Sequence, residues 1–407
     1  MIPLAEAQRR VLDGCAVAPA EPVALAEALG CVLLDAAVAA EAIPPFDNSS
    51  VDGYALRAAD AADVPVKLAV VDELPAGRAP SRAVGAGEAI RIMTGAAIPP
   101  GADAVVMVED TDLDGEVVTV RRAATPAGGI RPAGDDVRRG DVVFDAGTAL
   151  GPAHLGVLAS LGRLEVAVHP RLRVGVLSTG DELVADGAPL QPGQIRESNK
   201  DMLLALVAQA NAVPVDLGLV RDERGALVAA LEQGVGDCNA LITSGGVSMG
   251  LYDLVKVVLD EIGRMQWMQV AIKPAKPFAF GLLGGDERPV PVFGLPGNPV
   301  SSLVSFELLA RPALRQMMGH RCIERPTVRA LAPDGFDRRH GDDKTHFARV
   351  RAAFAPDGRV HVRSTGAQGS HQLAASASAN GLAVLPDGVD VAPGGEVDVL
   401  LIGAIGP

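Results

Sequence analysis

The sequence predicts a multidomain protein of the α/β-plus-β class, built around a three-layer α/β domain with a mostly parallel sheet. Three observations carry this. From about residue 171 to 320, short apolar runs alternate with helical patterns, the rhythm of a sheet covered on both faces. Before that stretch, from Ile43 to about Val143, and after Gly319, short strands are punctuated by glycine and proline. A chain of 407 residues also exceeds what one ordinary core accommodates.

Taken in order, Met1 to Arg10 reads as an amphipathic helix, not a signal segment. Strands follow at Val66–Val71, Ala89–Met93, Ala104–Val108 and Val117–Val120. Pro152 to Leu161 reads as a helix with proline in its first turn. In the α/β region we expect strands at Leu172–Leu177, Pro214–Leu219, Ala240–Thr243 and Val290–Phe293. Helices are expected at Lys200–Gln209, Glu223–Leu231, Leu251–Ile262 and Val300–Met318, with Met265–Ile272 and Phe278–Leu282 as an added hairpin pair. Five short strands between Pro326 and Leu401 predict a small β-barrel or sandwich.

Composition excludes several classes. The net charge of −14 argues against a general nucleic-acid binder. No run of about 18 apolar residues predicts a membrane span. The cysteines (Cys15, Cys31, Cys238, Cys322) show neither a zinc spacing nor a disulfide framework. A reduced, cytoplasmic protein is expected. No His-Glu-x-x-His, Gly-x-Ser-x-Gly or Walker motif is present.

Ligands of open α/β sheets bind beyond the carboxyl ends of the strands. Here those ends deliver Ser178-Thr-Gly-Asp-Glu182, Arg221-Asp-Glu223, Thr243-Ser-Gly-Gly-Val-Ser248 and Pro296-Gly-Asn-Pro299. Glycines let backbone N–H groups approach phosphate, and Ser244, Ser248 and Ser301 add hydroxyl donors. Asp181, Glu182, Asp222 and Asp253 would repel a phosphate directly, so their presence beside such loops implies Mg²⁺. Lys273 and Lys276, in Ile272-Lys-Pro-Ala-Lys-Pro277, would supply compensating charge, although a stiff exposed turn explains them equally well. In the first β module, Asp52, Thr94 and Asp136 place polar groups in turns beside apolar strands; turn formation alone also accounts for them.

The strings PPFDNSSVDGYA, RIMTGAAIPPGADAVVMVED, RPAGDDVRRGD, VGVLSTGDEL, PGQIRESN, ALITSGGVSMGLYD, IKPAKPFAFG, GLPGNPVSS and Gly369-Ser-His371 together resemble the molybdopterin molybdenumtransferase (MoeA) family, which includes the gephyrin E domain. They cover nearly the whole chain. The resemblance implies four parts: an elongated linker and dimerisation segment (1–44 with 139–170), a β subdomain (45–138), a molybdopterin-binding α/β domain (171–320) and a C-terminal β-barrel (321–407). It implies a homodimer whose active site joins the β subdomain of one protomer to the α/β domain of the other. The implied reaction inserts molybdate into adenylylated molybdopterin with release of AMP, assisted by Mg²⁺.

By position the resemblance gives catalytic roles to Asp52, Thr94, Asp136, Glu182, Asp222, Asp253 and Lys273, with Glu182, Asp222 and Asp253 toward the metal. Thr179, Gly180, Ser244, Gly245, Gly246, Ser248, Lys276, Pro296, Gly297, Asn298, Pro299, Ser301, Arg349 and Ser370 would hold the cofactor. Where some members carry a further lysine, this chain has Gln269. A molybdopterin adenylyltransferase and molybdoenzyme chaperones are the implied protein partners; no nucleic acid or membrane is. Two rivals stand beside this reading. The adenylyltransferase family shares the α/β fold but usually reads Ser-Gly-Gly-Thr-Gly at the second loop, without flanking β modules. A scaffold or carrier that binds molybdopterin without inserting metal would be expected to lose the acidic and lysine residues.

Overall fold

The computed structural model describes residues 1–247, 254–285, 287–337 and 341–406. Its contacts divide the chain into two compact units: Met1–Glu21 with Gly30–Val32 and Val168–Pro407, and Pro22–Leu29 with Leu33–Ala167.

The larger unit holds a six-stranded sheet in the order Val213–Val220, Arg173–Thr179, Ala240–Ser244, Val290–Leu295, Pro277–Leu283, Gly263–Gln269. The first four strands run parallel; Pro277–Leu283 pairs antiparallel with Val290–Leu295, and Gly263–Gln269 pairs antiparallel with Pro277–Leu283. Ala240–Ser244 and Val290–Leu295 are buried at every position, as strands with apolar layers on both faces must be. One face packs Val174, Val176, Ile242 and Phe293 against Leu203, Val207, Val304 and Leu314. The other packs Leu177, Leu241 and Val292 against Leu227, Leu231, Val255 and Leu259. The alternating rhythm of the sequence is therefore a three-layer domain.

Residues 1–21, which the resemblance groups with the elongated segment, pack in this unit. The helix Leu4–Asp13 buries Ala7 and Val11 against its core. This helix also repairs a backbone defect. The helical run expected at Val300–Met318 is Pro299–Ser305, a π-helical turn Phe306–Ala310, and Arg311–Met317. Pro312 has no N–H to give the Leu308 carbonyl four residues back, and its ring crowds that carbonyl, so the helix widens just before it. Gln8 Nε2 donates to the Leu308 carbonyl at 3.1 Å in its place.

The expected hairpin pair is present, its first strand starting and ending earlier than expected and its second one residue longer at each end. Gly263–Gln269 pairs with Pro277–Leu283, and Ile272–Lys273 leaves it to run parallel to Thr345–His346 of the C-terminal module. That module is a closed barrel of Thr345–Phe354, Val360–Ser364, Thr327–Ala332, Gly395–Leu401 and Gly381–Leu385, the last pairing back to the first. Its core is narrow, with Ala330, Ala332, Ala348, Ala352 and Ala383 among the inward side chains. Closure leaves these strands no open edge.

The smaller unit is built on a sheet in the order Ala104–Met107, Gly53–Leu56, Glu88–Ile92, Val66–Leu74, Val117–Val120, Thr111–Asp114. Gly53–Leu56 is buried throughout, between two partners. Gly53 is required there, because a Cβ at this position would lie 2.0 Å from the Val106 carbonyl oxygen.

Among the described residues no helix is long and apolar enough to cross a membrane. Cys15, Cys31 and Cys238 are buried and Cys322 is exposed; burial pushes the Cys15 thiol up to about 12. A thiol reagent at neutral pH is accordingly expected to label Cys322 in the folded protein and all four cysteines after unfolding. Rapid labelling of Cys15 in the native state would contradict this packing.

Candidate active site

At the carboxyl ends of the four parallel strands lies a cavity of about 820 Å³. It is lined by Thr179, Gly180, Glu182, Asp222, Ser244, Gly245, Gly246 and the run Pro296–Pro299. The four polar strand ends picked out in the sequence thus converge on one crevice. Ser248 and Asp253 lie outside the described residues. Ser301 is buried next to the crevice without lining it.

The glycine loops are fixed by backbone geometry. Gly245 N–H donates to the Leu295 carbonyl at 3.0 Å, so the loop's donors toward the crevice begin at Gly246. Gly246 has φ +73°, and a Cβ there would sit 2.2 Å from Cβ of Val255. Only glycine satisfies both conditions.

Asn199 ties the loops together. It is buried at the start of the helix Asn199–Gln209, and its Nδ2 donates to Ser244 Oγ at 2.8 Å and to the Gly297 carbonyl at 2.6 Å. A carbonyl oxygen can only accept, so the amide nitrogen must face it, which fixes the side-chain orientation. Ser244 Oγ accepts from Asn199 and keeps its proton free to donate. Next to it, Glu197 Oε1 accepts from Ser178 Oγ at 2.9 Å and from the Lys200 N–H at 2.8 Å, joining the first strand to the same helix. Asn199→Ala is expected to lower the unfolding free energy by about 1–3 kcal/mol and to raise KM for the ligand. Urea denaturation and initial rates check this; no change in either would remove the tether from the account.

Sequence pattern alone does not mark Asn199, Glu197, Arg196 and His371 as site residues, although they stand in the strings Arg196-Glu-Ser-Asn199 and Gly369-Ser-His371. The signal that can find them is the strings themselves, which place polar residues at a helix start and in a barrel loop. The carboxylates facing the cavity are Glu182, Glu197 and Asp222. Asp222 N–H donates to Asp181 Oδ1 at 3.2 Å, linking two strand ends. Among the described residues no group of three acidic, histidine or cysteine side chains gathers as a metal cluster. Glu182 and Asp222 both line the cavity, and Mg²⁺ takes as few as one or two carboxylates, completing its shell with ligand oxygens and water.

The basic candidates lie elsewhere in the same unit. Lys273 and Lys276 are exposed and do not line the cavity, though Pro277 does. Lys273 Nζ lies 3.6 Å from Asp342 of the barrel. Arg349 is wholly buried, and desolvation lowers its pKa. Its Nη2 donates to the carbonyls of Ala367 at 2.9 Å and Gly369 at 3.2 Å, while Nε and Nη1 have no partner among the described residues. Ser370 is held through its carbonyl, which accepts from the Val300 N–H at 3.1 Å.

In the smaller unit, Asp52 and Thr94 do meet. Asp52 Oδ1 accepts from both the backbone N–H and the hydroxyl of Thr94, each at 2.7 Å. Those two donors, the backbone one foremost, hold the Asp52 carboxyl below the usual carboxylate range. The three flagged strings converge at Asn48–Ser49, which pairs with Ile130–Arg131 and bonds to Ala96 and Ala97. Asp136 is exposed in the last of these strings.

Family models match most of the chain. Residues 2–162 match the MoeA N-terminal region (domain I and II), 175–316 a probable molybdopterin binding domain, and 332–402 the MoeA C-terminal region (domain IV). The chain is 42% identical over 391 residues to molybdopterin molybdenumtransferase 2 of Mycobacterium tuberculosis, covering 93% of this chain and 94% of that protein. It is 39% identical over 345 residues to the molybdopterin molybdenumtransferase of Haemophilus influenzae, covering 84% of each. The crystal structure of the molybdopterin biosynthesis MoeA protein from Pyrococcus horikoshii superposes with a TM-score of 0.76 at 30% identity, covering 98% of this chain and all of that one. With sequence, domain order and fold in agreement over nearly its full length, the chain belongs to the molybdopterin molybdenumtransferase (MoeA) family.

Proposed function

We propose that this protein inserts molybdate into adenylylated molybdopterin, releasing AMP and forming molybdenum cofactor. One observation carries the reading: in a chain of this family, two glycine loops and two cavity-facing carboxylates stand at consecutive strand ends of one crevice. Ser244 Oγ–H and the Gly246 N–H donate toward the phosphates, while Gly297 and Asn298 form the opposite wall. Glu182 and Asp222 would hold a divalent cation, Mg²⁺, whose chemistry is to neutralise developing phosphate charge. The site residues outside the cavity lining (Asp52, Thr94, Asp136, Lys273, Lys276, Ser301, Arg349 and Ser370), together with Ser248 and Asp253, complete the machinery in this reading.

No covalent nucleophile is needed. Attack of a molybdate or water oxygen on the adenylyl phosphorus breaks the pyrophosphate P–O bond, and the pterin phosphate leaves. That attack would be accelerated by positioning, which the loops provide, and by the charge neutralisation that Mg²⁺ held by Glu182 and Asp222 would supply. A homodimer, a cytoplasmic setting and the four-part division of the chain belong to the same proposal, supported by membership of the family.

The test is AMP release from adenylylated molybdopterin by the purified protein, with and without molybdate and Mg²⁺, followed by activation of an apo-molybdoenzyme. Molybdate-dependent release with activation is the expected result. Tight binding of the pterin with neither would replace insertion by a carrier role.

A further inference from the structure

The geometry points to His371 as a substrate-contacting residue of the crevice, offering a ring N–H donor to a phosphate oxygen of the bound adenylylated pterin. The inference rests on the function proposed above and adds a residue to it.

His371 comes from the barrel, not from the α/β domain whose strand ends form the crevice, yet it lines the same cavity as Ser244 and Asn298. The loop that carries it is anchored on both sides of the histidine. Before it, the buried Arg349 holds the carbonyls of Ala367 and Gly369, and the Ser370 carbonyl accepts from Val300 N–H on the α/β side. After it, Gln372 Oε1 accepts from the Gly369 N–H at 2.6 Å, and the Leu373 N–H donates to the His371 carbonyl at 3.1 Å. The imidazole itself has no hydrogen-bond partner among the described residues and is exposed to the cavity side of the loop. A rigid loop therefore presents a free ring.

Charge supplies the second argument. The cavity's ionisable lining, among the described residues, is Glu182, Glu197 and Asp222 against Arg196 and His371. Glu197 is engaged by Ser178 and Lys200, and an Arg196 guanidinium N–H lies 3.4 Å from the Gly187 carbonyl. A ligand carrying a pyrophosphate link enters a site where carboxylates outnumber cations. His371 adds to that lining a ring N–H that can donate to a phosphate oxygen and that has no hydrogen-bond partner among the described residues.

The experiment compares wild type, His371→Ala and His371→Lys in steady-state AMP release from adenylylated molybdopterin, with direct binding of the same compound read by its pterin fluorescence. His371→Ala, which removes the donor, is expected to raise KM and Kd about tenfold with kcat within about twofold. His371→Lys, which restores N–H donors, should recover most of the affinity. The melting temperatures should coincide, because the ring is exposed. If His371→Ala binds and turns over like wild type, or if lysine fails to recover what alanine loses, the inference is overturned. Should wild type release no AMP, the proposed insertion reaction fails, and the binding measurement still decides whether His371 contacts the compound.

Discussion

Asp52→Ala lowers the turnover of molybdate-dependent AMP release by something on the order of 10²-fold, while the melting temperature barely moves. The carboxylate is exposed, so removing it opens no cavity and strands no buried charge. Its two hydrogen bonds come from a single residue, Thr94. They fix Oδ1, while Oδ2 accepts no hydrogen bond among the described residues. The same bonds stabilise the ionised form. A carboxyl whose folded pKa is depressed contributes stability above its unfolded pKa and loses it only as pH falls through the lower folded value. The Asp52 charge therefore persists below the pH at which an ordinary aspartate is half protonated. Thr94→Val, which removes the hydroxyl donor but keeps the backbone one, should reduce turnover less than Asp52→Ala does. Wild-type turnover in Asp52→Ala, measured by AMP release, would remove this pair from the machinery.

Gly246→Ala destabilises the folded protein by about 2–5 kcal/mol, adding the cost of a left-handed backbone at a non-glycine residue to that of overpacking against Val255. The added methyl would fall within 2.2 Å of a β-branched side chain that is itself 2% exposed. Val255 lies on the helix Leu254–Ile262 and packs in the second core, so the collision cannot be relieved by rotation into solvent. Either the loop moves away from the crevice or the helix moves off the sheet. Both raise KM, and a urea denaturation curve with a lower midpoint distinguishes this from a purely local effect. The double variant Gly246→Ala/Val255→Ala should recover part of the lost stability by making room for the methyl. If the single substitution leaves the midpoint unchanged, the loop is not packed as described.

Much of this site is legible in the sequence because glycine and hydroxyl residues stand at strand ends, where α/β topology brings them together. Ser244, Gly246 and Pro296–Pro299 needed only the strand–loop–helix rhythm to be placed on one crevice. Tertiary relations are harder to read. Gly53–Leu56 is a central strand, but Asp52-Gly53 reads as a turn because the close approach of the Val106 carbonyl is a property of the neighbouring strand. Asn199 looks like an ordinary helix-start residue until the fold brings Ser244 and Gly297 to its amide. His371 sits some 70 residues after the α/β domain's last loop, and only closure of the barrel returns it to the cavity. The π-turn before Pro312 is announced by the proline. Its repair by Gln8, 300 residues away, is not.

The measurement that tests the central claim most directly is a single-turnover reaction of adenylylated molybdopterin with molybdate and Mg²⁺. AMP and pterin-bound molybdenum are quantified together in wild type and in Glu182→Gln/Asp222→Asn. The account predicts equimolar AMP and molybdenum from wild type and neither from the double variant, with the pterin still bound. Equal turnover by both proteins would place the chemistry outside this crevice.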